Sequence, residues 1–255
     1  RSSRETHFKQ LINLRFPQFE VKDLSPTLDA LRLIKSEKEI ELGFNVPSVL
    51  EQKIKIATEI ALIVGMNAKG ETIIYPPAEM IFDPVYNLLD YQISPAKLEE
   101  KQLWKAQAIA RKVLSGLNSP GLFAIELFID KSGDILVNET APRVHNSGHH
   151  TIEANYSSQY DMLWRILLNY PLGNADEILP SAIVNIIGAE GYTGDVVYEG
   201  LEEVLKMDNV FVHLYGKKQT KPGRKMGHVT IVHKDLNEAR KIAEEVKNTI
   251  KVISK

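Results

Sequence analysis

Apolar and polar residues follow two different spacings along this chain, one typical of strands and one typical of helices. Short apolar or alternating runs, bounded by Gly, Pro, Asn or Asp, predict strands at residues 58–64, 72–75, 123–129, 135–139, 181–188, 210–215 and 228–232. Apolar positions three or four residues apart predict helices at residues 28–42, 97–117, 151–168, 201–207 and 236–250. Groups of strands joined by short turns, with helices between the groups, indicate an α+β fold.

One predicted hairpin contains two acidic residues among apolar ones. Residues 130–134, Asp-Lys-Ser-Gly-Asp, form a turn sequence between two apolar runs. If the turn is centred between residues 132 and 133, Glu126 and Glu139 lie opposite each other on one face. Like charges so placed repel, and burial adds to the cost, unless a hard cation such as Mg²⁺ lies between them. The alternative is a register shifted by one residue, which leaves both acids at a solvated edge.

A polar loop follows this hairpin directly. It leaves the strand through a proline and carries a guanidinium, imidazoles, an amide and a hydroxyl, at Arg143, His145, Asn146, Ser147 and His149. Such a loop suits an anion beside a metal, and the start of the next helix would add free backbone N–H groups. A helix-entry loop whose histidines only cap and fill is the alternative. The position immediately after paired acids favours the functional interpretation.

A second polar cluster lies far along the chain. Five cations fall within nine residues, at Lys217, Lys218, Lys221, Arg224 and Lys225. A solvated basic turn is the usual explanation for such a cluster. However, two glycines and a proline constrain this loop, and a constrained cationic loop suits a phosphate monoester.

Composition is that of a globular protein. The chain has 255 residues, 44% of them hydrophobic, which is sufficient for a core in one large or two modest domains. Its net charge of −2 predicts no recruitment to nucleic acid or membrane, and the absence of cysteine excludes disulfides and thiolate metal sites. No apolar run is long enough to span a bilayer, so a cytoplasmic location is expected.

Several strings of this sequence resemble the 5-(carboxyamino)imidazole ribonucleotide synthases, a family of ATP-grasp carboxylases of purine biosynthesis. They include Glu126-Leu-Phe, Asn138-Glu139, Ala141-Pro-Arg143, His145-Asn-Ser-Gly-His149 and Pro222-Gly-Arg-Lys-Met-Gly-His228. The resemblance covers residues 44–254. It implies an α+β chain that comprises the C-terminal part of an ATP-grasp fold, an antiparallel sheet with helices, followed by a small α+β cap domain.

The resemblance also implies a set of site residues. ATP would contact Glu51, Gln52, Lys53, Ile54, Glu59, Asn138 and Glu139, with Glu59 on the ribose hydroxyls. Glu126 and Glu139 would bind one or two Mg²⁺ ions. Arg143 would serve in catalysis, and the ribonucleotide would contact Arg143, His145, Asn146, Ser147, Lys217 and Arg224, the last two through its 5′-phosphate.

The implied activity is the ATP-dependent carboxylation of 5-aminoimidazole ribonucleotide with bicarbonate, catalysed by a ligase that forms a C–N bond and is a homodimer when complete. Two alternatives stay open. One is a non-catalytic nucleotide-binding fragment. The other is a metal-dependent hydrolase built on His145, His149, His150 and the two glutamates, although the H-E-x-x-H pattern is missing.

The N-terminal end differs from the rest. Residues 31–40, Leu-Arg-Leu-Ile-Lys-Ser-Glu-Lys-Glu-Ile, resemble a segment of Xaa-Pro aminopeptidases instead. The expected organisation is therefore an unrelated helical segment at 1–42, an ATP-grasp lobe at 43–179 and a small domain with the basic loop at 180–255. We expect residues 1–42 to pack poorly on the rest. A chain joined in this way should bind ligands but turn over slowly.

Overall fold

The computed structural model describes residues 54–82 and 89–255, and Lys55–Lys255 form one compact unit. The segment 1–42 with its predicted helix, and the candidates Glu51, Gln52 and Lys53, lie outside the described residues. In the part that is described, no helix has the length and apolar character needed to cross a membrane.

The described strands form two antiparallel sheets. In chain order they are β1 Ile56–Met66, β2 Thr72–Ile74, β3 Ala78–Phe82, β4 Leu89–Ser94, β5 Gly121–Asp130, β6 Ile135–Ala141, β7 Ser181–Ile187, β8 Gly194–Glu199, β9 Val210–Leu214, β10 Gln219–Thr220, β11 Lys225–Val232 and β12 Lys251–Ser254. The large sheet has the order β6-β5-β1-β3-β4-β7-β11-β9, with β2 paired to β1. The small sheet has the order β10-β8-β12.

Helices lie between these strands. They are α1 Glu100–Leu117, α2 Thr151–Ala154, α3 Gln159–Leu167, α4 Leu201–Val204 and α5 Leu236–Thr249, with a 3₁₀ turn at Asn146–Gly148. In α5 the buried residues Ala239, Ala243 and Val246 recur at helical spacing and belong to the apolar cluster that also includes Val184 and Val229 of the sheet. The α+β class and its antiparallel sheet are as predicted.

The single helix predicted at residues 151–168 is wrong, because the chain leaves helical geometry between α2 and α3. Asn155 donates to Ala175 O at 2.9 Å, and Ser157 N donates to Asn174 O at 2.9 Å. Ser158 then caps α3 by accepting a hydrogen bond from Asp161 N. Apolar spacing continues across the break, whereas the backbone is held by a neighbouring loop.

The large sheet extends across the boundary predicted at residue 180. Strand β4 pairs with β7, with Tyr91 opposite Val184 and Ser94 opposite Ser181. The strands predicted from the sequence do not include β3 and β4, which join the two halves of the sheet. The limits at 43–179 and 180–255 stay a prediction, and the boundary at residue 180 falls inside the compact unit Lys55–Lys255.

Candidate active site

A bulge in the β5–β6 hairpin places two glutamates opposite each other. Near the turn Leu127 pairs with Val137, and an unbroken register would pair Glu126 with Asn138. The ladder instead shifts by one residue, and Glu126 pairs with Glu139. A bulge inserts an extra residue and redirects the side chain that follows it. The predicted pairing is confirmed, but the bulge produces it rather than the centre of the turn.

The two glutamates form an electrostatically strained pair. Glu126 is half-buried and Glu139 is exposed. Burial, then the charges of Glu139 and Glu59, raise the pKa of Glu126 to about 7, while Lys225 acts in the opposite direction. The ionised form of Glu126 is therefore disfavoured in the folded protein. A cation between the two carboxylates would offset both the burial and the repulsion.

The donor set at this point fits a magnesium ion. Ligand atoms of Glu126, Glu139 and His145 all lie within 4.8 Å of one another, and the described residues contain no other such group of three. Mg²⁺ prefers oxygen ligands, and one or two carboxylates with phosphate oxygens are its usual partners. His145 Nδ1 is 3.6 Å from Glu126 Oε1 and 2.9 Å from Ser147 Oγ. The two glutamates are thus the metal candidates, with His145 beside them.

Glu59 lies on the same face as the metal candidates. In β1, Ala61 is opposite Glu126 and Glu59 is opposite Phe128. Since residues two apart along a strand share a face, Glu59 is a diagonal neighbour of Glu126. Burial raises the pKa of Glu59. Its assigned contact with the ATP ribose stays a prediction.

Residues 143–150, named here the substrate loop, follow β6 directly. Arg143 is exposed and its Nη1 donates to Val144 O at 3.0 Å. Asn146 and Ser147 form the 3₁₀ turn, in which Ser147 is buried. The charge of Arg143 lowers the pKa of His145, after the larger effect of burial. The structure therefore brings Arg143 and His145 together beside the glutamates.

The remaining ATP candidates are only partly described. Ile54 is half-buried immediately before β1, and Asn138 is the exposed extra residue of the bulge. Their contacts with ATP stay predictions, as do those of the residues before Ile54.

The two phosphate candidates interact with their own loop. Lys217 donates to Lys225 O, and its ammonium is 5.7 Å from the centre of the Tyr215 ring. Arg224 Nη1 donates to Gln219 O at 3.0 Å. The predicted approach of Lys217 and Arg224 to the substrate loop stays a prediction.

Lys225 is a site residue that the sequence analysis did not single out from its cluster. Burial lowers the pKa of Lys225, Glu126 raises it, and Arg143 and Lys217 lower it further. These couplings place its ammonium within electrostatic reach of the metal candidates and the substrate loop. Lys225 begins β11, so the sheet fixes its position, whereas the neighbouring cations lie in the loop; the strand predicted from the sequence began only at residue 228 and gave no such signal.

Gly188, at the end of β7, anchors the basic loop. Its N–H donates to Arg224 O at 2.9 Å, and Gly223 N donates to Gly188 O at 2.9 Å. An added β-carbon would collide with Lys221 O and Thr220 Oγ1. This position therefore requires the absence of a side chain, because backbone cannot move aside as a flexible side chain can.

We expect Gly188→Ala to destabilise the protein by about 1–3 kcal/mol, the usual cost of overpacking. Urea denaturation followed by circular dichroism measures this effect. Gly116→Ala is the matched control, because a β-carbon there would meet nothing within 4 Å and Gly116 lies within α1. Equal stability of the two variants would show that the loop yields to the added methyl group.

Three histidines from separate elements stack face to face. Ring centres of His149 and His228 are 4.5 Å apart, as are those of His228 and His213. His213 Nε2 is 2.8 Å from Glu153 Oε1, and Tyr215 Oη is 3.1 Å from His228 Nδ1. Burial, then the neighbouring imidazoles, lower the pKa of His149 to about 4 and that of His228 to about 3. No sequence pattern predicted this contact, since it joins the substrate loop to β9 and β11.

Comparisons with known families agree with this architecture. The profile described as the ATP-grasp domain matches residues 29–160, and that of the phosphoribosylaminoimidazole carboxylase C-terminal domain matches residues 181–242. The first match begins within the segment for which the sequence suggested a separate origin. These two matches give no support to the aminopeptidase resemblance.

Individual relatives point the same way. The chain is 33% identical over 239 residues to an N5-carboxyaminoimidazole ribonucleotide synthase of Aquifex aeolicus, covering 92% of this chain and 59% of that protein. It is 36% identical over 210 residues to the synthase of Bacillus subtilis, covering 81% and 53%. The chain thus spans somewhat more than half the length of these two relatives.

Solved structures share the fold. The Thermotoga maritima N5-carboxyaminoimidazole ribonucleotide synthetase matches with a TM-score of 0.75 and 43% identity, covering 87% of this chain and 59% of that one. An Aspergillus clavatus synthase in complex with ADP and 5-aminoimidazole ribonucleotide matches with a TM-score of 0.69 and 31% identity, covering 78% and 53%. The resemblance drawn from the sequence strings is confirmed, and so is the fold class.

Proposed function

Because this chain belongs to the ATP-grasp family, we propose that it takes part in the ATP-dependent carboxylation of 5-aminoimidazole ribonucleotide with bicarbonate, a C–N bond-forming step of purine biosynthesis. The observation that carries the proposal is the register of Glu126 opposite Glu139, with the substrate loop beside them. The structure of the Aspergillus clavatus relative with ADP and 5-aminoimidazole ribonucleotide supports the nucleotide and the acceptor, whereas bicarbonate is what the resemblance implies.

Glu126 and Glu139 would hold Mg²⁺, which supplies positive charge against the ATP phosphates as the γ-phosphoryl group moves to bicarbonate. The raised pKa of Glu126 supports this assignment, because a carboxyl that is difficult to ionise alone becomes a carboxylate when a cation binds. Glu59, which lies on the same sheet face, would contact the ATP ribose next to the phosphates.

The chain's own cations would act on the reacting oxygens. Arg143 follows the paired acids and would offset negative charge on the carboxyphosphate group as it forms. Lys225 would add a second positive charge at this group, since Glu126 and Arg143 both affect its pKa. The loop from His145 to His149 would shield the labile carboxyphosphate from water. No covalent nucleophile is required.

The basic loop would hold the 5′-phosphate of the ribonucleotide, as the resemblance implies for Lys217 and Arg224. Its support is the rigid anchorage at Gly188 together with the concentration of positive charge. Lys217 would exchange its hydrogen bond with Lys225 O for phosphate oxygens.

The homodimer of the complete protein is part of the proposal. Its support is a group of exposed apolar side chains on and around α2 and α3, at Ile152, Tyr156, Trp164, Leu167 and Tyr170. The cytoplasmic location stays a prediction.

ADP formation tests the function. The protein should release ADP from ATP only when both bicarbonate and 5-aminoimidazole ribonucleotide are present, as measured in a coupled assay. MgATP binding without any ADP release would favour the non-catalytic nucleotide-binding alternative. ADP release that ignores the ribonucleotide would contradict the assigned substrate.

A further inference from the structure

Two buried glutamines, from different elements, form hydrogen bonds with the substrate loop. Gln159 is the first residue of α3 and is fully buried, whereas Gln92 lies in β4 and is 1% exposed. The site residues inferred from the sequence include neither side chain. Their hydrogen bonds reach the backbone and the histidines of residues 145–150.

The polarity of the backbone fixes the orientation of the Gln159 amide. The N–H of His145 can only donate, and it donates to Gln159 Oε1 at 2.9 Å. The other amide atom is therefore the nitrogen, and it donates to His145 O at 2.8 Å. Gln159 thus satisfies both backbone polar groups of His145, as a neighbouring strand would.

The same amide nitrogen determines the tautomer of His149. Gln159 Nε2 lies 3.2 Å from His149 Nδ1. Because an amide nitrogen can donate hydrogen bonds but cannot accept them, His149 Nδ1 must be the acceptor. A neutral imidazole then carries its proton on Nε2. The hydroxyl of Tyr160, 3.2 Å from the same Nδ1, can donate as well. Within the described part of the chain, His149 Nε2 has no hydrogen-bond partner.

Gln92 repeats this arrangement on the next histidine. Its Nε2 donates to Ser147 O at 2.8 Å and lies 3.1 Å from His150 Nδ1. A carbonyl oxygen can only accept, so this atom is also an amide nitrogen and His150 Nδ1 accepts. Each of these two adjacent histidines therefore has its Nδ1 beside the amide nitrogen of a buried glutamine from a different element.

Close packing leaves the substrate loop little freedom around Gln159. A β-carbon on Gly148 would overlap the Gln159 amide. Thr151 Oγ1 donates to Gly148 O at 2.6 Å and accepts from Gln159 N at 2.8 Å. The glutamine is thus tied to the loop through its backbone as well as its side chain.

We propose that Gln159 is a positioning residue, which fixes the main chain at His145 and presents the Nε2–H of a neutral His149 as an oriented donor to an anionic oxygen of the ribonucleotide. This role rests on the proposed function, because it names one contact within the same site. The arrangement itself is independent of ligand. It follows from the hydrogen bonds that join Gln159 to His145 and His149.

Nitrogen-15 NMR of histidine-labelled 255-residue protein tests the arrangement directly. At pH 7, His149, identified by the signals lost in His149→Gln, should show an unprotonated Nδ1 and a protonated Nε2. Gln159→Glu should place a proton on Nδ1 and raise the pKa of His149, because a carboxylate accepts where the amide donated. A wild-type His149 with its proton on Nδ1 would overturn the inference, whether or not the protein binds nucleotide.

Gln92→Leu is the matched control, because it removes the equivalent amide from His150. It should change the signals of His150 and leave those of His149 in place. If Gln92→Leu and Gln159→Leu alter His149 equally, the glutamine has no specific effect and the inference fails.

Kinetics separate the positioning role from a merely structural one. In the complete enzyme, Gln159→Leu should raise KM for the ribonucleotide or lower kcat by about 10–100-fold, with KM for ATP unchanged. Equal losses toward ATP and ribonucleotide would show general damage and contradict the role. Absence of ribonucleotide-dependent turnover in the wild type would reject the proposed function, with the NMR result still deciding the tautomer.

Discussion

Replacing Glu139 by alanine should abolish the Mg²⁺-dependent binding of ATP by the 255-residue chain. Calorimetric titration should show an affinity loss of roughly 100-fold or more, which is about 2.8 kcal/mol. Of the two carboxylates that face each other across β5 and β6, only Glu126 would remain, and it would bind the cation weakly. Mg²⁺ is bound through oxygen ligands, and the substitution removes one of the two carboxylates that the protein supplies. A weakly held Mg²⁺ in turn no longer binds the phosphates of ATP at this site.

Glu202→Ala is the matched control, because Glu202 is an exposed glutamate in α4 and outside the metal group. It should bind MgATP as the wild type does. Unchanged MgATP affinity in Glu139→Ala would remove Glu139 from the metal site.

The same pair gives a second, ligand-free readout. Without metal, Glu139→Gln should raise the melting temperature at pH 8, because it removes a charge that raises the pKa of Glu126. The folded pKa of Glu126, about 7, lies above its unfolded value, so its stabilisation is complete below pH 4.5 and is lost as the pH rises through 7. Addition of Mg²⁺ should restore stability in the wild type and have a smaller effect in the variant.

Acid should destabilise the protein through its buried imidazoles. The folded pKa values are about 4 for His149, about 4 for His150 and about 3 for His228, against 6.5 for ordinary histidine. Such groups give full stability above pH 6.5 and lose it as the pH falls towards 4, because the unfolded state binds protons first. Each imidazole removes about 1.4 kcal/mol per pH unit in this window.

His228→Gln isolates this effect. The free energy of unfolding of the wild type, relative to this variant, should fall by about 1.4 kcal/mol for each pH unit between 6.5 and 4.5. Subtracting the unfolding free energy of the variant cancels the contributions of Glu126 and Glu177, which change with pH in the opposite direction. Burial raises the pKa values of both glutamates to about 7. Parallel pH profiles of wild type and His228→Gln would contradict the burial of a neutral ring in the stack.

The local patterns were sufficient wherever neighbouring residues determine the structure. The turn Asp130–Gly133 forms as expected, with Gly133 N donating to Asp130 O and Gly133 at a φ of 83°. The strand around residues 58–64 and the helix ending at Leu117 are present because their apolar spacing matches a buried face. Such features depend on residues close in sequence.

The patterns of apolar residues gave wrong or incomplete predictions where a segment distant in sequence supplies the hydrogen-bond partner. Residues 155–158 keep helical spacing, yet Asn155 and Ser157 bond to the loop at 174–175 instead. Strand β4 alternates apolar and polar residues over Leu89–Ser94, a strand signal that went unused, and the short β3 is a strand because β1 and β4 pair with it on its two sides. The bulge that pairs Glu126 with Glu139 is likewise a property of the ladder, since an unbroken register would have presented Asn138.

The sequence by itself determined the α+β class, the acidic hairpin, the polar loop after it and the resemblance to a family, because these depend on residue types in short order. The tertiary structure decided the rest. It set the bulge, brought Lys225 towards Glu126, stacked His149 on His228 and placed Gln92 and Gln159 against the substrate loop. These contacts join residues that are ten or more positions apart, and only the packing of strands and helices determines which side chains meet.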